Sequence, residues 1–154
     1  MIIADVNLLV YAHNKAAPQH GRARQWWETL ITRRQPVCLP WAVALGFVRL
    51  VTHASVLVNP LAPLDAVARV RGWLAQPEVR IVEPGPRHLG IVEDLFRATG
   101  VAGSLTTDTH LAALAIEHQA ELHSNDSDFG RFPGLRWVNP LKATRLHDQG
   151  EPSP

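Results

Sequence analysis

The chain contains a single cysteine, Cys38, which excludes an internal disulfide and fits a reducing cytoplasm, where we expect the protein to reside. It has no apolar run long enough to cross a bilayer, so no membrane association is expected. No basic region precedes Ile2 and no small-residue cleavage pattern follows it, so the first apolar run reads as mature fold rather than signal peptide. Net charge is also scarce. With 15 Lys and Arg against 14 Asp and Glu, a formal charge of +1 is too small to advertise nucleic-acid binding by itself. Basic residues do cluster at Arg22, Arg24, Arg33 and Arg34, and again at Arg69, Arg71 and Arg80, either as local patches or as solvated helix faces. None of the eight histidines stands in a compact zinc spacing, and His13, His20, His53, His88, His110, His118 and His123 read as surface residues.

What the chain does have is alternation. At 154 residues it is long enough for one domain with a real core, and we expect that domain over residues 1–141, followed by a polar, disordered tail at 142–154. Ile2 to Asn7 reads as a buried parallel strand that stops at Asp5 and feeds a helix. Residues 20–32 carry Ala23, Trp26, Trp27, Leu30 and Ile31 at the spacing of one helical face, which makes the two tryptophans core rather than a base-stacking platform. Val37-Cys38-Leu39, stopped by Pro40, reads as a second strand. Residues 41–52 are apolar nearly all round, as a helix buried against the sheet or a partner chain would be. Pro63 opens another helix, with Leu64, Val67, Ala68, Arg71 and Leu74 marking its stripe. Val79 to Val82 is a third strand, followed by a helix with Leu89, Val92, Leu95 and Phe96 inward and Gly100 as its stop. Residues 104–118 form a helix, and 121–124 and 135–138 the last two strands. Strands alternating with helices predict an α/β fold, three layers deep, around a mostly parallel sheet of about five strands.

In a parallel sheet every strand's carboxyl end lies on one rim, where ligands and metals are held. Asp5 follows the first strand, Asp126 the fourth, and Asp108 opens the helix at 104–118; Asp128 lies close to Asp126. Such acids on one rim would repel each other unless a cation neutralised them, and hard ions such as Mg²⁺ or Mn²⁺ take carboxylate, water and phosphate oxygens. An ion so held suits phosphodiester hydrolysis, because it activates water and neutralises charge on the phosphate. Each acid has a plainer alternative: Asp5 or Asn7 caps a helix, Asp108 answers a helix dipole, and Asn125-Asp126-Ser127-Asp128 builds turns.

The opening IIADVNLLVYA at residues 2–12 and the segment GVAGSLTTDTHLAALAIEHQAELHSNDSDFGRFPGLRWVNPL at residues 100–141 resemble the PIN-domain ribonucleases, specifically the VapC toxins of bacterial toxin–antitoxin pairs. The resemblance is nearly full length and most specific at its two ends. It implies a PIN-like fold and an Mg²⁺- or Mn²⁺-dependent endoribonuclease that cleaves RNA as the toxin of a type II pair. It implies Asp5, Asp108 and Asp126 as catalytic, metal-ligating acids, Asp128 as a further ligand, and Asn7 and Thr107 supporting them through hydrogen bonds. It further implies a VapB-type antitoxin, binding across the apolar helices, and a homodimer. One departure stands out: where the family commonly has a glutamate three residues before an arginine, here Arg49, this chain has Gly46. Three aspartates with waters then suffice, or Glu117 or Asp94 substitutes, although Glu117 reads as solvent-facing, or metal affinity is weak until substrate or a partner arrives. His110, two residues after Asp108, has the alternative of touching a substrate phosphate. Competing readings are a degenerate PIN module that binds RNA or a protein without cutting, kept alive by Gly46, and a dehalogenase-type phosphatase. The phosphatase needs an aspartate two positions after Asp5, where this chain has Asn7.

Overall fold

The computed structural model describes residues 1–142, so the tail expected at 142–154 lies outside the described residues apart from Lys142. Five strands, β1 (Ile2–Ala4), β2 (Val37–Pro40), β3 (Val79–Val82), β4 (Glu121–His123) and β5 (Arg136–Val138), form one sheet in the order β3-β2-β1-β4-β5, all parallel. Ile3 sits opposite both Cys38 and Leu122, so the central strand is paired on both edges. Ile3, Ala4, Val37, Cys38, Leu39 and Leu122 are wholly buried, as strands covered on both faces require. The edge strands admit polar residues: Arg80 in β3 and Arg136 in β5 are exposed.

Six helices, α1 (Val6–His13), α2 (His20–Thr32), α3 (Trp41–Val51), α4 (Pro63–Leu74), α5 (His88–Thr99) and α6 (Thr106–Glu117), supply the crossovers. The order runs outward from β1 to β3 and then returns to β4. Right-handed crossovers therefore put α1–α4 on one face and α5 and α6 on the other, the three layers expected. The reversal falls between β1 and β4, the switch point where the loops after the two strands part and leave a crevice. Gly100 ends α5 in the left-handed conformation, at φ +66°.

Burial corrects the sequence reading at several helices. α3 buries only the face of Val43, Ala44, Phe47 and Val51, while Trp41 and Leu45 on the other face are 48% and 61% exposed. α4 is rotated relative to the expected stripe: Ala66 and Val70 are buried, Trp73 and Leu74 half-buried, and Leu64, Val67, Ala68 and Arg71 exposed. On α5, Leu95 is buried but Leu89 is exposed. In α2, Trp26 is core as expected, and Trp27 is half-buried at the edge of a cleft.

Candidate active site

Asp5 follows β1 directly and is also the N-cap of α1, where its Oδ1 accepts the Val6 N–H at 2.7 Å. The cap and the rim position are thus one residue with two oxygens in two roles. Its Oδ2 accepts a 2.6 Å hydrogen bond from the Ser124 hydroxyl, which lies just past β4 across the switch point. The carboxyl is nearly buried. Desolvation raises its pKa, the hydrogen bonds from Ser124 and Val6 pull it down, and the Asp126 charge pushes it up again, leaving it above the ordinary range.

Ser124, wholly buried, is the hub of this crevice. Its oxygen donates to Asp5, accepts the Asp126 N–H at 2.9 Å and lies 3.4 Å from Asn7 Nδ2. Trp137 Nε1 donates to its carbonyl at 3.1 Å, which ties the turn after β4 to β5. Sequence reasoning passed over Ser124 because a serine in a turn carries no signal of its own. Only its two-residue offset from Asp126, opposite an aspartate at the end of a neighbouring strand, hints at the role.

Asp126 opens the turn Ser127–Arg131, with its Oδ1 accepting the Asp128 N–H at 2.9 Å, so the turn-building alternative is also realised. Asp108 stands in the first turn of α6 and its side chain makes no hydrogen bond among those described. Burial pushes its pKa up to about 6, and the charges of Asp5, Asp126 and Asp128 add to the shift. Four carboxylates from opposite ends of the chain are therefore within electrostatic reach of one another. Asp128 also faces Arg131 at 3.4 Å on the surface.

The other expected contributors divide. Asn7 reaches the same hub through Nδ2, 3.4 Å from Ser124 Oγ, and its Oδ1 is buried without a hydrogen-bond partner. Thr107 is exposed, with no side-chain hydrogen bond among those described. Gly46 faces Val6, the residue after Asp5, and a Cβ there would meet Val6 Cγ2 at an ordinary 3.6 Å. Neither replacement acid is on the rim. Asp94 pairs with Arg97 at 2.9 Å on an exposed face. Glu117 is not solvent-facing: its side chain is 6% exposed and it accepts the N–H groups of Gly85 and Arg87 at 2.9 and 3.0 Å. Desolvation opposes its charge, but those N–H groups and the His88 and His118 imidazoles outweigh it and hold the carboxyl below the ordinary range. His110 turns toward His88 at 2.9 Å. His123 is buried rather than on the surface, accepting from Trp26 Nε1 at 3.0 Å and reaching Glu121 at 3.2 Å, a neutral imidazole whose tautomer is fixed from both sides.

Every oxygen that converges here is hard: carboxylates, one hydroxyl and one orphaned amide oxygen. That set suits a divalent cation such as Mg²⁺, Mn²⁺ or Ca²⁺ and not a soft metal. Among the described residues no three acidic, imidazole or thiol side chains form a ready-made ligand shell, so solvent or a phosphate would have to complete it.

Comparison with known proteins bears on this arrangement. A family profile described as PIN domain matches residues 2–135. Ribonuclease VapC33 of Mycobacterium tuberculosis is 47% identical over 142 residues, spanning 92% of this chain and 99% of its own length. Ribonuclease VapC37 of the same organism is 39% identical over 140 residues, 91% of this chain and 97% of that one. Among solved structures, VapBC2 from Rickettsia felis bound to a promoter DNA fragment superposes with a TM-score of 0.67 at 20% identity, over 90% of this chain and 98% of that one. Mycobacterium tuberculosis VapC20, a sarcin-ricin loop cleaving toxin, gives 0.62 at 18% identity, over 88% and 99%. At such identities the two structures speak for the fold alone.

Proposed function

The chain belongs to the PIN-domain family, among the VapC ribonucleases, and on that premise we propose that it is an endoribonuclease toxin whose chemistry is carried by Asp5, Asp108 and Asp126. The observation that supports this reading is Ser124, which joins Asp5 to the Asp126 backbone across the β1/β4 switch point, with the charges of both acids adding to the burial that raises Asp108 to about 6. Mutual repulsion in a crevice is costly unless a cation or an anionic substrate bearing one enters. Asp5, Asp108 and Asp126 would hold a divalent ion, Mg²⁺ or Mn²⁺, with Asp128 contributing and Asn7 Oδ1 supplying a neutral oxygen. When bound, the ion supplies a water of lowered pKa and neutralises charge on the scissile phosphate.

The chain's own residues do the rest. Ser124 fixes the Asp5 rotamer and, through the Asp126 N–H, sets the distance between the acids from the two strands. Burial and the neighbouring acids raise the Asp108 carboxyl to about 6, and a cation entering the site would favour release of its proton. Gly46, packed against Val6, supplies no acid from α3. The alternative of a PIN module that binds without cutting has only Gly46 in its favour, and the phosphatase reading fails at Asn7.

The partners follow from the relatives. A VapB-type antitoxin would neutralise the toxin in the cytoplasm, a second copy would form the homodimer, and the domain at 1–141 would act as one unit. No described helix is long and apolar enough to cross a membrane. The test incubates purified protein with structured and unstructured RNA in Mg²⁺, Mn²⁺ or chelator, beside Asp5→Asn. Cleavage that needs the ion and is lost in the variant supports the reading; RNA that stays intact with every ion contradicts it. Co-expression with the neighbouring small open reading frame should relieve growth inhibition, and persistent toxicity would count against the antitoxin.

A further inference from the structure

The acids at the switch point repel a phosphate backbone as they repel each other, so a strand that reaches them needs cations close by. Most basic residues on the neighbouring elements are already engaged. Arg87 donates to the Glu117 carbonyl at 3.1 Å, Arg136 donates to the Gln119 carbonyl, and Arg97 pairs with Asp94 at 2.9 Å and Glu93 at 3.7 Å. Two stand apart. Arg131 closes the turn that Asp126 opens, its side chain is 55% exposed, and its ion-pair partner among the described residues is Asp128, at 3.4 Å. Lys142 is exposed just past β5 and has no ion-pair partner among the described residues; its Nζ lies 5.9 Å from the centroid of the Trp137 indole.

Both cations flank one fixed platform. Trp137 Nε1 donates to the Ser124 carbonyl at 3.1 Å, so the indole is anchored to the residue that accepts the Asp126 N–H and donates to Asp5. Gly130, next to Arg131, packs on the same indole, where an added Cβ would stand 3.4 Å from Cζ3. Asn139 donates from Nδ2 to Asn125 Oδ1 at 3.2 Å and accepts the Leu141 N–H on its own Oδ1 at 3.0 Å, which seats the segment leading to Lys142 against the turn that carries Asp126. The strip thus runs contact by contact from Asp126 and Asp128 to Arg131, past the Trp137 indole, to Lys142. A pair as exposed as Arg131 and Asp128 contributes little to stability, so the guanidinium turns at small cost to a phosphate, which it grips with two hydrogen bonds at once.

We propose that Arg131 and Lys142 hold the backbone of the RNA substrate on the β5 side of the acids, Arg131 on the phosphate nearer the scissile bond and Lys142 on one farther along. The inference rests on the ribonuclease reading and assigns to that site two substrate-binding residues. An acidic peptide from a protein partner is the rival occupant, and the test separates them.

Binding is measured by fluorescence anisotropy with a labelled single-stranded RNA of about 12 nucleotides, within the footprint that single-strand-binding surfaces cover. The full chain is used in chelator so that nothing is cut. Arg131→Gln with Lys142→Gln should weaken binding about tenfold and flatten the slope of log affinity against log salt by about 1.4, two phosphate contacts at about 0.7 each. Arg131→Lys with Lys142→Arg keeps both charges and should restore the slope and most of the affinity. With Mn²⁺ and the same RNA, the glutamine pair should raise KM about tenfold and leave kcat unchanged. Arg33→Gln with Arg80→Gln removes the same charge away from the strip and should leave affinity and slope unchanged. Parental affinity and slope in the glutamine pair, or an equal loss in the control pair, overturns the proposal. So does a glutamine pair that keeps its RNA affinity and loses only the capture of the co-expressed antitoxin, the result expected of a peptide site. RNA that is bound through Arg131 and Lys142 but never cut keeps the binding assignment and sinks the ribonuclease reading. RNA cut with the same KM by the wild type and the glutamine pair sinks the strip alone, and a wild type that neither binds nor cuts RNA sinks both.

Discussion

Two clusters of ionisable side chains face each other in kind but not in condition. At the β1/β4 switch point, burial and then the charges of Asp5, Asp126 and Asp128 raise the Asp108 carboxyl to about 6, burial raises that of Asp5, and Asn7 Oδ1 goes without a partner. Between α5 and α6, Glu117 accepts two backbone N–H groups and faces His88, which in turn meets His110. The first cluster sets carboxylates against one another, whereas the second pairs opposite characters, with only His88 Nδ1, 3.6 Å from Glu117 Oε2, short of a hydrogen bond. Groups held in mutual conflict need something from outside, whereas groups that satisfy each other hold two helices together.

Breaking each cluster should therefore have opposite consequences. The largest effect is expected from Asp126→Asn, which keeps the Oδ1 that accepts the Asp128 N–H and should lower the rate of RNA cleavage by about 10²–10³-fold or more while leaving the melting temperature of the ion-free protein unchanged or raised. Gel-based kinetics and a thermal melt on the same preparations check both halves. Next comes Ser124→Ala, which frees the Asp5 carboxylate and the Asp126 N–H. Cation affinity should fall about 10- to 100-fold, and Ser124→Thr should restore most of it in a calorimetric titration.

Glu117→Ala attacks the other cluster. It leaves the Gly85 and Arg87 N–H groups without acceptors and should cost about 1 to 2 kcal/mol in a urea melt, with cleavage by the remaining folded protein unaltered. The pH dependences run in opposite directions. Glu117, held below its ordinary 4.5, contributes stability that is present above that value and lost as pH falls through its lower folded pKa. Asp108, raised from 3.8 to about 6, favours the ion-free fold below 3.8 and loses that contribution as pH rises through 6. Stability measured in chelator between pH 4 and 6 should decline less steeply in Asp108→Asn than in the wild type. The smallest effect is that of Gly46→Glu: its Cβ meets Val6 Cγ2 at an ordinary 3.6 Å, the helix gains about 0.5 kcal/mol over glycine, and cation affinity should rise a few-fold.

The acids of the first cluster were legible because each follows a local signal, an apolar run that ends at a carboxylate or a first helical turn. The all-parallel sheet was legible from the alternation of buried runs and amphipathic segments. What lay hidden depended on partners far along the chain. Ser124 acts on a residue 119 positions away, and no local pattern marks such a hydroxyl. Glu117 was misread because its distance from Asp108 along α6 says nothing about the Gly85 and Arg87 amides that reach it. His123 was misread as surface because a strand buried on both faces hides even its polar residues. The stripe of α4 was misplaced because apolar residues lie all round the helix, and the sequence does not say which arc, here that of Ala66 and Val70, meets the core.

The contrast between the two clusters can be measured directly as the shift in melting temperature that Mn²⁺ produces over chelator, in the wild type, Asp108→Asn with Asp126→Asn, and Glu117→Ala. If the rim is a cation site, Mn²⁺ stabilises the wild type and Glu117→Ala by the same increment and leaves the double aspartate variant unmoved. An equal shift in all three proteins, or none in the wild type, would contradict it.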